Sequence, residues 1–315
     1  MISIVVPALN EEGAIAATIR ELKTVLTQAN LVPFEIVVVD DGSTDATARL
    51  AQEAGARVIS HPHNVGYGRS LKDGILSACF DTIVITDADG TYPIRDIPKL
   101  VSEYQRGFDM VVGARTGKHY RESIIKTPLR RILKAIVEFT ATRKIPDINS
   151  GLRVFSRGTA IPYFNHLCDT FSFTTSMTLA YMMNNRFVHY TPIEYFERSG
   201  ETKVRLFRDS LRTMQYIVEA ATYYNPLKIF FLFSLICLCF AGVSLISALV
   251  FQLASLFALG VGAILLSILM MGLGLLAVLL KQIMDINRLS GGNQGIPNPE
   301  NHKAQNMAPP ASMRE

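Results

Sequence analysis

An uncharged stretch from Ile229 to Leu280 limits most strongly what this chain can fold into. A single helix of this length would extend about 78 Å at ~1.5 Å per residue, whereas the hydrocarbon core of a bilayer is only ~30 Å thick. The stretch therefore predicts two membrane-spanning helices, over residues 227–251 and 255–280, with Gln252 in a tight connection. Basic residues on both sides of the pair favour a cytosolic location for both of its ends.

The chain before this stretch alternates between short apolar segments and amphipathic ones. This alternation predicts an α/β fold with a mostly parallel sheet and helices on both faces. The predicted strands are Ile2–Val6, Phe34–Val39, Arg57–Ser60 and Thr82–Thr86, and the predicted helices run from Glu11 to Ala29, from a cap at Ser43 or Thr44 to Ala54, and from Gly68 to Ala78. No basic segment followed by a long apolar one precedes the first strand, so we expect this domain to stay in the cytosol.

Two of the predicted strands end in carboxylates. Asp40 follows the second strand, and Asp87 and Asp89 follow the fourth, one residue apart from each other. In a parallel sheet such ends meet at the edge where ligands bind. Two close carboxylates stay ionised together when they share a hard cation such as Mg²⁺ or Mn²⁺ with substrate phosphates. A turn is the alternative for the acid pair alone, but three acids at strand ends favour a site for a metal and a nucleotide diphosphate.

Basic residues are concentrated in one part of the chain. Residues 115–144 carry nine Lys or Arg and two Glu, although the net charge of the whole chain is only +4. This excess suits phosphate groups or an anionic leaflet, and no nucleic-acid-binding motif accompanies it. A solvated basic face is the alternative. Neither a dinucleotide-binding glycine motif nor a P-loop is present, and the four cysteines show no metal-binding spacing.

Two amphipathic segments are predicted to lie at a membrane interface. In residues 128–142 and 204–225, apolar residues share one helix face while Arg and Lys occupy the other. Packing on the soluble core is the alternative for the first segment. The tail over residues 290–315 is rich in Gly, Pro and Asn and is predicted to be disordered.

Several motifs, taken in order along the chain, resemble one enzyme family. Val5–Glu12, Val39–Asp45, His63–Gly68 and Asp87–Gly90 closely resemble glycosyltransferase family 2 enzymes of the GT-A (Rossmann-like) fold. Val112–Arg115, Asp147–Arg153 and Arg198–Lys203 resemble the branch of dolichol- or polyprenyl-phosphate sugar synthases. The resemblance covers essentially residues 1–205 and implies a cytosolic GT-A domain over residues 1–203.

The resemblance also implies roles for individual residues. The base and ribose of a nucleotide sugar would be lined by Pro7, Leu9, Glu11, Val38 and Asp40. The donor diphosphate and a divalent ion would be bound by Asp87, Ala88 and Asp89, with Thr91 at the position of a third metal ligand. Phosphates would be faced by Arg115, Arg130, Arg198 and Lys203. The residues expected to act in catalysis are Asp89, Arg115, Arg130 and Lys203.

The chemistry of sugar transfer fits these residue types. A departing diphosphate can be neutralised by a divalent ion and by basic side chains as its charge develops. The segment Phe171–Met177, where many relatives carry Glu, has no carboxylate. A phosphate acceptor with a second pKa near ~6 needs no general base, which favours a lipid phosphate. Asp147 or another acid is the alternative base.

These observations and the resemblance predict a membrane-anchored, metal-dependent glycosyltransferase, and the resemblance implies that it inverts the configuration at the sugar. We expect it to move one sugar from a GDP- or UDP-linked donor to a polyprenyl phosphate at the cytosolic membrane face. A processive polysaccharide synthase is disfavoured because its Q-x-x-R-W signature needs Trp, and the chain has none. A catalytically silent, nucleotide-binding membrane scaffold is the alternative of another class, and the intact acids and Lys203 argue against it. The identity of the sugar and the formation of a homo-oligomer are left open.

Overall fold

The computed structural model describes residues 1–117, 143–196 and 225–292, together with the isolated positions 135, 138, 139, 215, 218 and 222. The chain divides into two compact units, Met1–Tyr224 and Asn225–Glu315. Most of the predicted interfacial segments 128–142 and 204–225, and the tail from residue 293, lie outside the described residues. Arg130, Arg198 and Lys203 lie outside them as well.

The first unit is built on a mixed sheet. Its strands are β1 (Ile2–Ala8), β2 (Phe34–Asp40), β3 (Arg57–Ser60), β4 (Thr82–Ile85), β5 (Met110–Thr116), β6 (Arg153–Ser156) and β7 (Val188–Glu194). Within the described residues these seven strands form one sheet in the order β3-β2-β1-β4-β6-β5-β7. β6 runs antiparallel to β4 and β5, and the other described pairings are parallel. The predicted α/β fold with a mostly parallel sheet is therefore confirmed.

Helices cover both faces of this sheet. They are α1 (Ile15–Gln28), α2 (Thr47–Glu53), α3 (Tyr67–Ser77), α4 (Ile97–Gln105), α5 (Arg157–Ala160) and α6 (Phe173–Met183), with short 3-10 segments at Ile94–Asp96 and Ile161–His166. Side chains alternate across each strand, so Ile4 and Val6 of β1 join a core with α1, α2 and α4. Val5 joins a second core with α3, α5 and α6 on the opposite face. The sheet is therefore the middle layer of three.

The first strand continues through Pro7 to Ala8, although the sequence predicts that Pro7 stops it. The carbonyl of Ala8 accepts a hydrogen bond of 2.9 Å from Asp41 on the β2 side. Backbone groups alternate along a strand, so those of Pro7 face the other side, where β4 has already ended at Ile85. The missing N–H of proline therefore removes no sheet hydrogen bond at this position.

The first helix begins at Ile15, although the sequence predicts a start at Glu11. The backbone N–H of Glu11 donates to Thr47 Oγ1 at 2.8 Å, and that of Glu12 donates to Asp45 Oδ2 at 3.2 Å. These contacts hold both glutamates in the loop before the helix. A distant part of the chain therefore decides where α1 begins.

The second helix begins at Thr47, and neither Ser43 nor Thr44 caps it. Both residues bind the first loop instead. Asn10 donates its N–H to Ser43 Oγ at 2.9 Å, and the Thr44 N–H donates to Asn10 Oδ1 at 2.8 Å. The predicted caps are wrong because these hydroxyl and amide groups join the β1–α1 and β2–α2 loops. The bounds of β2, β3, β4 and α3 differ from the predicted ones by at most one residue.

The second unit is a pair of apolar helices, α7 (Pro226–Phe251) and α8 (Ala254–Gly292). Gln252 between them adopts a left-handed conformation with φ 53°. The spans Pro226–Phe251 and Ala254–Met284 are each long and apolar enough to cross a membrane. Hydrogen bonds between the two helices join them as a hairpin, for example from Ser267 Oγ to the carbonyl of Ser234 at 3.0 Å.

The last helix continues to Gly292, past the predicted end at Leu280 and past the start of the predicted disordered tail at Ser290. The residues after Leu280 include Lys281 and Gln282, which are good helix formers. A helix satisfies its backbone hydrogen bonds internally, so it can continue where the apolar sequence ends. The loss of apolar character therefore marked the end of the apolar span and not the end of the helix.

The first turn of α3 lies against the backbone of residues 168–170. A Cβ on Gly68 would lie 2.3 Å from the carbonyl oxygen of Cys168 and 2.8 Å from the carbonyl carbon of Asp169. We expect Gly68→Ala to lower the free energy of unfolding by about 1–3 kcal/mol, because backbone atoms must shift to accept the methyl group. Thermal unfolding of the purified chain in detergent measures this effect.

Gly13→Ala is the matched control, since a Cβ at Gly13 would meet no atom within 4 Å. We expect this variant to change the free energy of unfolding by less than about 0.5 kcal/mol. Equal melting temperatures for the two variants would contradict the close approach at Gly68.

Candidate active site

Five aspartates gather at one edge of the sheet. Asp40 ends β2 and Asp41 follows it, while Asp87 and Asp89 follow β4. Asp147 lies in the loop before β6, which runs antiparallel to β4 and so begins where β4 ends. All but Asp87 are buried, and Asp87 is half-buried. The fold thus brings the predicted acids Asp40, Asp87 and Asp89 to one edge, together with Asp41 and with Asp147, the residue considered as an alternative base.

Asp87 lies between α3 and the loop that precedes β6. The Tyr67 hydroxyl donates to Asp87 Oδ1 at 2.9 Å. On the other side, a Cβ on Gly151 would lie 3.0 Å from both carboxylate oxygens of Asp87. Glycine at this position therefore lets the loop backbone approach the acid closely.

Asp89 is oriented by a neighbour two residues along the chain. Thr91 donates to Asp89 Oδ1 from its backbone N–H at 3.1 Å and from its hydroxyl at 2.7 Å. Thr91 is fully buried, and its carbonyl accepts from the N–H of Phe196 at 3.0 Å. The threonine that the resemblance places as a metal ligand thus acts here as a hydrogen-bond donor to the carboxylate. Ala88 between the acids is buried, and its carbonyl accepts from Thr18 Oγ1 at 3.1 Å.

The second strand ends in two acids with different surroundings. Asp40 Oδ1 accepts from the backbone N–H of Ser43 at 3.2 Å. Asp41 accepts from the N–H groups of Val65 and Gly66, each at 2.9 Å, and lies 2.9 Å from His61 Nδ1. Asp41 therefore fixes the loop that leads into α3.

Arg115 forms a two-point contact with Asp147. Arg115 donates through Nε at 2.7 Å to Asp147 Oδ2 and through Nη2 at 2.9 Å to Oδ1. Burial raises the pKa of the Asp147 carboxyl, but the hydrogen bonds and the charge of Arg115 outweigh burial and hold this pKa below its usual value. The guanidinium also lies 5.3 Å from the centre of the Tyr195 ring. Arg115 thus meets a carboxylate at the place where the resemblance predicts a phosphate contact.

The residues predicted to line a nucleotide lie near the same edge. Pro7 is buried in the last part of β1, and Leu9 and Glu11 are half-buried in the loop that follows. Val38 is fully buried in the core on the α1 face. Only the backbone of Val38 is therefore left to contribute to a surface site.

Two buried residues that support the site were missed from the sequence. The N–H of Gly151 donates to the Tyr92 hydroxyl at 2.6 Å. Arg153 donates to the carbonyls of Ile148 at 2.9 Å and Ser150 at 2.8 Å, so its side chain holds the loop before β6 from inside the core. Burial lowers the pKa of the Arg153 guanidinium. Arg153 closes a motif that carried the resemblance, but an arginine in sequence gives no sign that it will be fully buried.

The carboxylate oxygens of Asp87 and Asp89 are ligands of the kind that a hard divalent cation prefers. Within the described ranges, no group of three or more His, Cys, Asp or Glu side chains is arranged to hold a metal ion. Asp87 and Asp89 would supply two carboxylates, and Mg²⁺ is commonly bound in this way by one or two carboxylates together with substrate phosphates. The residues present therefore fit an ion that is shared with a phosphate ligand.

Comparisons with known proteins agree with this architecture. A family model described as Glycosyl transferase family 2 matches residues 3–164. The low-salt glycan biosynthesis hexosyltransferase Agl6 of Haloferax volcanii is 31% identical over 229 residues, which cover 71% of this chain and 54% of that protein. An undecaprenyl-phosphate 4-deoxy-4-formamido-L-arabinose transferase of Salmonella choleraesuis is 26% identical over 235 residues, 72% of this chain and 69% of that protein.

Two further matches extend the comparison. A dolichyl-phosphate beta-glucosyltransferase, ALG5D of Trichomonas vaginalis, is 31% identical over 174 residues, 50% of this chain and 53% of that protein. The chain thus spans about half the length of several of its curated relatives. Glucosyl-3-phosphoglycerate synthase from Mycobacterium tuberculosis, solved with Mn²⁺, UDP and glucosyl-3-phosphoglycerate, superposes with a TM-score of 0.56 at 22% identity, covering 70% of this chain and 80% of that one. This likeness supports the GT-A-like fold.

The Arg115–Asp147 contact makes a testable contribution to stability. Because the pKa of Asp147 is lowered in the folded state, its ionised form stabilises the fold at a pH above its unfolded pKa of roughly 3.9. This contribution is lost as the pH falls through the folded-state pKa. We expect Asp147→Asn to lower the free energy of unfolding by about 3 kcal/mol near neutral pH. Thermal unfolding in detergent from neutral pH to about pH 3 should show the deficit shrinking below about pH 4.

Asp109→Asn provides the control, because Asp109 pairs with Arg186 at 3.2 Å in a more exposed contact. A surface pair of this kind contributes about 0–1 kcal/mol. A deficit of Asp147→Asn that stayed constant across the pH range would show that the charge of Asp147 is not the source of its effect.

Proposed function

Because this chain belongs to glycosyl transferase family 2, we propose that it transfers a single sugar from a GDP- or UDP-linked nucleotide sugar to a polyprenyl phosphate. We further propose that transfer inverts the configuration at the sugar and takes place at the cytosolic face of a membrane. The observation that carries the proposal is the acid pair Asp87 and Asp89 after β4. This pair lies at the sheet edge where ligands of α/β folds bind.

The donor half of the site is assigned to the strand ends. Asp87 and Asp89 would hold Mg²⁺ or Mn²⁺, which when bound would neutralise the diphosphate as it departs. Asp40 and the loop that carries Leu9 and Glu11 lie beside them and are assigned to the ribose and base. Thr91 keeps the Asp89 carboxylate in one orientation through two hydrogen bonds. An orientation fixed before the substrate arrives reduces the rearrangement needed during reaction.

Arg115 is assigned to the phosphate side of the site. Its guanidinium is held by Asp147 at 2.7 and 2.9 Å, which restricts a flexible side chain to one direction. A restricted arginine loses less conformational freedom when it contacts a phosphate. Arg130, Arg198 and Lys203 are assigned to phosphates by the sequence motifs.

The acceptor assignment rests on two candidate positions for a general base, the start of α6 and Asp147. Thr174, Thr175 and Ser176 at the start of α6 are buried, and this segment has no carboxylate. Asp147, the alternative base, has a lowered pKa, and both of its oxygens accept from Arg115. A weakly basic, occupied carboxylate is poorly suited to remove a proton from an alcohol. A phosphate acceptor is already ionised at neutral pH and avoids this requirement.

Two relatives support the same acceptor class through their names, one for undecaprenyl phosphate and one for dolichyl phosphate. The apolar helices α7 and α8 are long enough to cross a bilayer, and we assign them to anchoring the enzyme in the membrane of its lipid acceptor. In this proposal the GT-A domain covers residues 1–203, the interfacial segments cover 128–142 and 204–225, and the two spans lie within 227–251 and 255–280. Both termini would be cytosolic.

The acid pair can be tested by a change of charge alone. Asp89→Asn keeps an oxygen that can accept the two hydrogen bonds from Thr91 but removes the negative charge. We expect transfer from nucleotide sugar to undecaprenyl phosphate to fall by about a hundredfold or more, because a divalent ion supplies several kcal/mol of charge stabilisation. Extraction of radiolabelled lipid measures the product.

Asp81→Asn is the matched control, since Asp81 lies just before the other end of β4 and accepts from Ser156 Oγ at 2.7 Å. We expect this variant to retain activity within about twofold, as surface substitutions away from the site usually do. Wild-type turnover by Asp89→Asn, at a melting temperature equal to that of Asp81→Asn, would refute the assignment of the acid pair.

The acceptor proposal predicts a sharp difference between two lipids of equal chain length. We expect transfer to undecaprenyl phosphate to exceed transfer to undecaprenol by at least ~100-fold, because an alcohol needs a base that contributes about 10²–10⁴ in rate. Mass spectrometry of the lipid product should show a single added sugar. Comparable use of the alcohol would reveal a base, and a polymeric product would instead favour a processive synthase.

A further inference from the structure

We propose that Tyr67 is a positioning residue for the divalent-cation site, which it supports by holding Asp87 in a fixed orientation against the loop at residues 168–171. This inference rests on the proposed function, because it takes Asp87 as a ligand of Mg²⁺ or Mn²⁺. It concerns a residue that neither the acid pair nor the strand-end pattern identifies.

The contact between the two residues is direct. The Tyr67 hydroxyl donates to Asp87 Oδ1 at 2.9 Å. Tyr67 is half-buried. An ionised carboxylate can only accept hydrogen bonds, so the tyrosine hydroxyl is the donor in this contact.

The backbone on both sides of Tyr67 is fixed by a distant loop. A Cβ on Gly66 would lie 2.5 Å from the carbonyl oxygen of Asp169, and a Cβ on Gly68 would lie still closer to the carbonyl oxygen of Cys168. The N–H of Arg69 donates to the Asp169 carbonyl at 3.1 Å. The first turn of α3 thus lies in backbone contact with residues 168–170, and this contact requires glycine on both sides of the tyrosine.

The ring of Tyr67 is held as well as its backbone. It stacks on Phe171 with a centroid separation of 5.6 Å and an interplanar angle of 14°. A ring fixed by stacking directs its hydroxyl along one line. Tyr67 therefore presents its donor to Asp87 from a position set by the 168–171 loop, and small movements of that loop would be transmitted to the acid.

A hydrogen-bond donor to one carboxylate oxygen fixes the orientation in which the carboxylate binds a cation. Outer hydrogen-bond partners of metal ligands set ligand orientation, and their removal typically weakens metal affinity or activity by 10–100-fold. The hydroxyl of Tyr67 carries no charge, so this contact orients Asp87 without adding a positive charge beside it. Its contribution is expected in ion affinity more than in nucleotide affinity.

Tyr67→Phe isolates this contribution, because it keeps the ring and the stack and removes only the hydroxyl. Mn²⁺ is titrated into the full chain in detergent with saturating UDP, and separately with GDP, by calorimetry. We expect the affinity for Mn²⁺ to fall by about tenfold, while the affinity for the nucleotide without metal stays within about twofold. Tyr104→Phe on α4 is the control, and the Mn²⁺ affinity of this variant should be unchanged.

Equal Mn²⁺ affinity in the wild type and Tyr67→Phe would overturn the inference while leaving the proposed function intact. A wild type that binds nucleotide but no Mn²⁺ would instead refute the metal site itself, and the inference with it. A double-mutant comparison gives a second, independent test. In an Asp87→Asn background, Tyr67→Phe should cause little further loss, whereas a full additional tenfold loss would show that the tyrosine acts through another group.

Discussion

The negative charge collected at the carboxyl edge of the sheet is the constraint on which the surrounding structure depends. A buried carboxylate is tolerated only when hydrogen bonds or a cation replace its lost water. Asp40 and Asp89 obtain donors from residues two or three positions along the chain, whereas Asp41, Asp87 and Asp147 obtain them from distant segments. Asp41 takes backbone N–H groups of the loop before α3, and Asp147 takes the guanidinium of Arg115, 32 residues away along the chain. The loops at this edge therefore adopt their paths because the acids need partners.

The described donors to these acids differ in charge. Asp87 and Asp89 receive hydrogen bonds from the neutral hydroxyls of Tyr67 and Thr91, which orient a carboxylate without adding a positive charge. Asp147 receives its hydrogen bonds from the charged guanidinium of Arg115. In the proposed function, the first kind of contact suits an acid that orients a divalent ion, and the second suits an acid that orients a basic side chain.

Local sequence pattern was enough to predict the first four strands and the alternation of helices, because apolar residues at strand or helix spacing bury themselves in any such fold. The strand-end acids followed from the same pattern. The predicted helix starts at Glu11 and Ser43 were wrong, because groups of these residues form hydrogen bonds with another loop. The antiparallel β6 and the Arg115–Asp147 contact depend on which segments meet in space. No spacing in the sequence predicts them. Tyr67 lies within the motif His63–Gly68, but its place in the site follows only from its contact with Asp87.

In the proposed function, the pairing of Asp147 with Arg115 links the fold to the choice of acceptor. An acid whose oxygens are occupied and whose pKa is lowered stays ionised, and it gives up its arginine if it accepts a proton. Proton removal by Asp147 would therefore weaken the contact that orients the basic side chain. An acceptor that arrives already ionised leaves the contact intact and brings its own negative charge toward Arg115. The proposed lipid phosphate acceptor meets this condition, and in the same proposal the long apolar helices would hold the enzyme in the membrane in which such a lipid is dissolved.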